Sequence, residues 1–471
     1  MPSELQARLF DEFTRKDALD AAREHSLAFV DEALGRRAYP SAAGIEGLAG
    51  FDGPLAEQGT DAREIIEQLS RHGAPGVVSS LGGRYFGLVV GGVLPAAMAA
   101  RWVADAWNQN TALYRLSPVG SKLETICERW LKTLFKLPGD TVAGFVSGSS
   151  VAILAGLAAG RERIFRNRGW DINAKGLRGA PPIRVVAGRH AHSTIVKGIA
   201  ILGLGVDNVE WVDVDEQGRI LADKVPPLDD STILILQAGN VNSGSFDPFD
   251  SLCGRANAAG SWVHIDGAFG LWAAASAKLS HLAAGIERAH SWSVDGHKTL
   301  NTPLDCGILL CRDRDALVTA LQMSGSYIVY SEERDGMIYT PEMSRRARAV
   351  ELWAALKSLG RRGVEQLVDQ LHERASQIAA ELEGFGFELL NDVVFNQVLV
   401  GCGDDALTDA TIEQIQNSGE CWVGGTQWGD RRAIRISVCS WATTPADIER
   451  SARAFRDARQ RAEAASAQLN H

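Results

Sequence analysis

The chain has 471 residues, enough to bury a full core without disulfides or a structural metal, and about 150 residues per domain allows up to three units. Its 58 acidic and 48 basic residues leave a net charge of −10, which argues against a general nucleic-acid or anionic-membrane binder but leaves room for a local basic pocket. The seven cysteines are scattered without a C-x-x-C, so a disulfide framework or zinc ribbon is not expected, and a reducing cytoplasm is. Glu4, Asp11 and Glu12 interrupt the start of the chain where a secretory signal would need apolar residues. The uncharged stretches 85–100 and 141–160 are broken by Gly91-Gly92 and Pro95 and by Ser147-Gly148-Ser149-Ser150, so neither reads as a membrane span.

Residues 4–34 place Leu5, Leu9, Phe10, Phe13, Leu27, Val30 and Leu34 at helical spacing, which predicts an N-terminal helical arm. Residues 40–60 read as linker. Helices are expected at 61–72, 95–107 and 121–136, the last stopped by Pro138-Gly139. From 142 the pattern changes to short apolar runs at 142–146, 183–187, 209–213, 232–237, 261–265, 290–294 and 306–311. Helical stretches at 150–166, 194–202, 249–259 and 313–322 lie between several of them. That alternation predicts βαβ units and a mostly parallel sheet. Residues 345–384 read as one or two long helices. The strand-like runs FELL, VVFNQVLV and AIRISV and a last helix at 445–465 follow, as a smaller α+β domain. The expected division is an arm and linker over 1–80, a large α/β domain over 81–344 and a small domain over 345–471.

In open α/β sheets ligands bind beyond the carboxyl ends of the strands. Ser147-Gly148-Ser149-Ser150 ends the first run and opens a helix, which suits either a phosphate or a simple N-cap. His190 and His192 follow the second run. Asn240 and Asn242 follow the fourth. Asp266 ends the fifth, where a desolvated carboxylate needs a partner: a cap, a metal or a protonated ring nitrogen. Asp295-Gly296-His297-Lys298 ends the sixth, and a lysine amine can bond covalently to an aldehyde. Converging on one edge, these residues describe one site.

Three stretches resemble the pyridoxal-phosphate-dependent decarboxylases of group II, which include the aromatic-amino-acid, histidine and glutamate decarboxylases. They are S-G-S-S-V-A-I-L-A-G-L-A-A-G-R at 147–161, H-I-D-G-A-F-G at 264–270 and S-V-D-G-H-K-T-L-N-T-P at 293–303, with Asp266 lying 32 residues before Lys298. The resemblance covers roughly residues 80–450. It implies an aminotransferase-like fold of type I, pyridoxal 5′-phosphate as cofactor, and roles position by position. Lys298 would carry the cofactor, Asp266 would keep its ring nitrogen protonated, and His192 would stack on the ring. Gly148, Ser149 and Ser150 would hold the phosphate with His297 nearby. Asn242 would assist, Ala268 would pack below the ring, and Arg435 would bind a substrate carboxylate. Tyr85, Phe86, Asn110 and Thr111 would shape the pocket. A loop tyrosine among Tyr327, Tyr330 and Tyr339 would donate the proton, with Tyr339 favoured. Val151 departs from the family, which carries an acidic residue there.

The implied reaction is α-decarboxylation of an aromatic or acidic L-amino acid through an external aldimine and a quinonoid. A cytoplasmic homodimer, with both sites near the interface and no nucleic-acid or membrane partner, is expected. The alternative is a carbon–carbon or carbon–sulfur lyase similar to sphingosine-phosphate lyase. It rests on the short loop and on Arg345, Arg346 and Arg348 as contacts for a substrate phosphate. A metallohydrolase built on His190, His192, His264 and Asp266 is a third reading, although no metal is expected. A binding protein that has lost catalysis is a fourth.

Overall fold

The computed structural model describes residues 3–321 and 328–469. Seven strands form the large sheet: β1 (Val142–Val146), β2 (Arg184–Gly188), β3 (Val209–Val212), β4 (Thr232–Gln237), β5 (Trp262–Asp266), β6 (Ser291–Asp295) and β7 (Gly307–Cys311). Each begins and ends within one residue of the apolar run that predicted it. The order is β1-β7-β6-β5-β4-β2-β3. All neighbours are parallel except β7, which runs antiparallel between β1 and β6. The sheet is buried on both faces, and β4, β5, β6 and β7 are buried along their whole length, as continuous apolar runs dictate.

The helix Ser149–Asn167 lies close against this sheet because glycines face it. A Cβ on Gly156 would stand 2.8 Å from His264 Nδ1, and one on Gly160 would stand 2.8 Å from the Trp262 ring. The same economy sets the turn that opens the helix: a Cβ on Gly307, the first residue of β7, would overlap the backbone of Gly148. The antiparallel insertion therefore props up the 147–150 turn at the carboxyl edge of the sheet.

The second sheet is antiparallel, in the order β10-β11-β9-β8: β8 (Glu388–Leu389), β9 (Gln397–Gly401), β10 (Gly424–Trp428) and β11 (Arg431–Ser437). It packs with the helices Ala349–Gly384, Asp405–Ser418 and Pro445–Leu469 around a separate apolar core that includes Leu371, Ile378, Val398, Ile434 and Phe455. The long helix is two stretches joined at Gly360, whose φ of 60° and ψ of −178° suit glycine alone. Two elements were not legible in the sequence. The helix Asp405–Ser418 buries Thr408 and Thr411 beside Ile412 and Ile415, which blurs its apolar period. Strand β10 lies at the sheet edge with alternate residues exposed and begins with two glycines. No helix among the described residues is long and apolar enough to cross a membrane.

Candidate active site

The carboxyl ends of β1, β2, β4, β5 and β6 share one edge, and the predicted residues gather there. Asp266 is buried. Its Oδ1 accepts the Ala268 N–H at 3.2 Å and the Ser293 hydroxyl at 3.4 Å, long contacts for a buried carboxylate. Burial pushes the Asp266 carboxyl upward from its ordinary range, against the pull of His192 and Lys298. His192 caps the helix Ser193–Ile201, its Nδ1 lying 2.8 Å from the Thr194 hydroxyl and accepting the Thr194 N–H. Burial lowers its pKa, and the field of Asp266 opposes that shift while those of Lys298 and Arg435 add to it. A neutral imidazole beside a buried carboxylate suits stacking on a cationic ring.

Lys298 is one-fifth exposed, and its Nζ lies 3.4 Å from Asp295 Oδ2. Asp295 Oδ1 accepts the Ser149 N–H at 2.7 Å, at the opening of the 149–167 helix. His297 Nε2 stands 3.7 Å from Asp295, and its Nδ1 accepts the Cys306 N–H at 3.1 Å. Gly148 is half-buried and Ser150 exposed at the same turn. Ala268 is tied in from both sides, since its carbonyl accepts the Asp295 N–H at 2.8 Å. Arg435, on β11, is largely desolvated, which lowers its pKa while Tyr85 partly restores it. Its Nη1 donates to the Val241 carbonyl at 3.3 Å, and among the described residues it pairs with no carboxylate. Beside it, Tyr85 and Trp422 stack with centroids 5.1 Å apart at 10°, and Tyr39 also stacks on Trp422, at 6.1 Å.

Several expected residues lie elsewhere. Tyr339 is packed in the large-domain core. Its hydroxyl is 3.2 Å from Arg314 Nε, and the Arg334 guanidinium covers its ring. Arg314 follows the far end of β7, so this hydroxyl faces the opposite edge of the sheet from Lys298. Tyr330 is exposed, and Tyr327 lies outside the described residues. Phe86 belongs to the small-domain core. Its apolar side chain is removed from ligand by that burial. Asn110 bonds Ser344, Ala112 and Arg345, and Thr111 bonds the Arg346 carbonyl; both serve the backbone near 345. Asn242 is held by the Thr426 hydroxyl at 3.0 Å, which ties the loop after β4 to β10.

The rival sites are absent among the described residues. Arg345 pairs with Glu124 at 2.6 Å, Arg346 with Asp305 at 2.8 Å, and Arg348 with Asp305 at 3.1 Å, so none is open for a substrate phosphate. His264 lies in the core against the Ser291 hydroxyl, and no group of metal-ligating side chains is found.

Two residues without a predicted role prove central. Asp295 links the helix opening to Lys298. Asn301, with a positive φ of 59°, donates to the carbonyls of Lys298, Thr299 and Cys439 and accepts the N–H groups of Gly92 and Trp441. It fixes the Lys298 loop to both domains. Both residues lie inside the 293–303 stretch, so the signal was present in the sequence without a role attached.

Comparison with known proteins identifies the family. Residues 48–400 match the model of the pyridoxal-dependent decarboxylase conserved domain. The cysteine sulfinic acid decarboxylase of Mus musculus is 29% identical over 367 residues, covering 74% of this chain and 72% of that protein. The acidic amino acid decarboxylase GADL1 of Xenopus tropicalis is 27% identical over 351 residues, covering 70% and 66%. The crystal structure of mouse CSAD in apo form superposes with a TM-score of 0.83 at 24% identity, over 94% of this chain and 98% of that one. That of Oryza sativa TDC with PLP and tryptamine gives 0.84 at 20% identity, over 95% and 97%. The fold is therefore the type I fold of these enzymes, the cofactor is pyridoxal phosphate, and the chain belongs to the pyridoxal-dependent amino-acid decarboxylases of group II.

Proposed function

We propose that the chain removes the α-carboxyl group of an L-amino acid whose carboxylate is held by Arg435. The observation that carries this reading is a desolvated guanidinium without a carboxylate partner, on the same edge as Lys298, Asp266 and His192. Pyridoxal phosphate, when bound, supplies the electron sink for the carboxyl's bonding pair. The residues fit that group. Lys298 offers the amine, and Asp266 is a buried carboxylate with only two long contacts, ready for a charged N–H. His192 offers a flat, uncharged ring, and Gly148, Ser149 and Ser150 present the helix opening to a phosphate with His297 beside them. Arg435 would hold and orient the substrate's carboxylate. A proton must then reach the α-carbon. Tyr330, and Tyr327 outside the described residues, are the candidates that Tyr339's burial leaves.

The stacked pair Tyr85 and Trp422 beside Arg435 favours a planar, aromatic side chain. An acidic side chain is the second reading, favoured by the names of the two relatives above. Carbon dioxide release from a panel of L-amino acids decides: release from an aromatic member supports the first, and release from an acidic member alone replaces it with the second. Release from none, with cleavage of a carbon–carbon or carbon–sulfur bond instead, overturns decarboxylation by this chain.

We further propose a cytoplasmic homodimer with the division 1–80, 81–344 and 345–471. The first helix, Glu4–Arg15, buries none of its residues and exposes Leu5, Leu9, Phe10 and Phe13, the last at 80%. Such a face is costly in water unless a second copy covers it. Light scattering should give twice the chain mass, and a monomer at micromolar concentration would contradict this.

A further inference from the structure

We propose that Asp295 is the resting partner of Lys298: it takes the lysine's ammonium whenever that amine is not bonded to the cofactor. The inference rests on the Lys298 attachment proposed above. Asp295 is 1% exposed, so its carboxylate must find partners inside the protein. It has one short hydrogen bond and one longer ionic contact. Oδ1 takes the Ser149 N–H at 2.7 Å, and Oδ2 faces Lys298 Nζ at 3.4 Å. Its backbone is held independently, with its N–H on the Ala268 carbonyl and its own carbonyl on Trp272 Nε1 at 3.0 Å. The carboxylate is therefore a fixed post, and the lysine is the movable member.

This arrangement has a consequence for amine exchange. When a substrate ammonium replaces Lys298 on the cofactor's aldehyde carbon, one carbon–nitrogen bond forms and one breaks. Two protons pass from the incoming nitrogen to that of Lys298, which leaves as an ammonium, so with both imines protonated charge is conserved. Asp295 stabilises that departing ammonium. The same carboxylate occupies the Ser149 N–H and adds a negative charge to the turn where the cofactor's phosphate must settle. It therefore favours displacement of the lysine and opposes loading of the cofactor.

Asp295→Asn keeps an oxygen for the Ser149 N–H and removes the charge. Two titrations, followed by absorbance, test the proposal on wild type and variant: pyridoxal phosphate into cofactor-stripped protein, and methylamine into the loaded enzyme. The expected result is opposite shifts, with cofactor bound about fivefold more tightly and methylamine needed at about fivefold higher concentration, in line with a partly buried ion pair. A purely structural Asp295 would weaken both, and weakening of both or change in neither overturns the proposal. Asp295→Ser, which can also cap the helix, repeats the test if the first variant does not fold. A wild type without a Lys298-dependent absorbance band overturns the attachment itself and this proposal with it, whereas a normal band without opposite shifts overturns this proposal alone.

Discussion

Two clusters of buried charge lie in the large domain, and they are satisfied to very different degrees. In one, Glu124 accepts from Arg345 at 2.6 Å and from Arg334 at 2.9 Å, and Arg334 also meets Glu128 at 2.8 Å. Burial would raise the Glu124 pKa, but the two guanidinium groups outweigh it and hold it below its ordinary value. In the other, Asp266 has two contacts of 3.2 and 3.4 Å, Lys298 stands 3.4 Å from Asp295, and the Asp266 carboxyl stays shifted upward. The saturated cluster holds the fold. The slack cluster has unspent hydrogen-bonding capacity, which is what a site awaiting a charged cofactor must keep.

The contrast can be broken in either cluster. Lys298→Ala should lower decarboxylation by roughly 10³-fold or more, the scale of losing a covalent catalytic group. Its thermal stability in the cofactor-free state should fall only slightly, since the contact it loses with Asp295 is long and Lys298 is partly exposed. A variant that keeps most of its activity would detach Lys298 from the chemistry. Glu124→Gln should do the reverse. It leaves Arg345 buried without its carboxylate partner, while Arg334 keeps Glu128, so stability should fall by about 3–5 kcal/mol in a denaturant titration. Protein that remains folded should still bind cofactor. Asp266→Asn should cost little stability, because the carboxylate is under-satisfied. Activity should fall by roughly 10²-fold if the side chain holds the ring nitrogen's affinity for its proton up by two pKa units.

Acid sharpens the same contrast from outside the site. Burial drives His264 and His290 down to about 3, so both are held neutral in the folded protein. Stability from such a group is fully present above the unfolded value near 6.5 and is lost as pH falls toward the folded one. At pH 5 each histidine should cost on the order of 2 kcal/mol, read as a drop in melting temperature between pH 7 and pH 5. His290→Asn should flatten part of that slope, and an unchanged slope would acquit His290. The smallest effect belongs to Tyr339→Phe. It removes the hydroxyl contact with Arg314 and should cost about 1 kcal/mol with activity within twofold of wild type. A large loss of activity would return Tyr339 to the reaction.

The sequence made the sheet legible because its strands are buried on both faces, so each reads as an unbroken apolar run. The candidate site was legible for a related reason: Asp266, Lys298 and the 147–150 turn are polar residues where such runs end, and the fold brings them to one edge. What stayed hidden depends on direction and partner. Nothing in the order of residues says that β7 runs antiparallel between β1 and β6, or that it props up Gly148. Tyr339 was misplaced because an aromatic residue near a loop looks alike whether it faces solvent or the core. The three arginines at 345–348 look free in sequence, and only the fold brings Glu124 and Asp305 to them. Phe86 and Asn110 carried expected roles by resemblance, yet their local contacts serve core and backbone.

The most direct measurement is to reduce the purified protein with borohydride and locate the cofactor by peptide mass spectrometry, beside Lys298→Ala. The account predicts a yellow protein whose absorbance band is altered by reduction, with the label on the peptide carrying Lys298 and none on the variant. A label on another lysine, or a wild type that stays colourless and unlabelled with added pyridoxal phosphate, would contradict it.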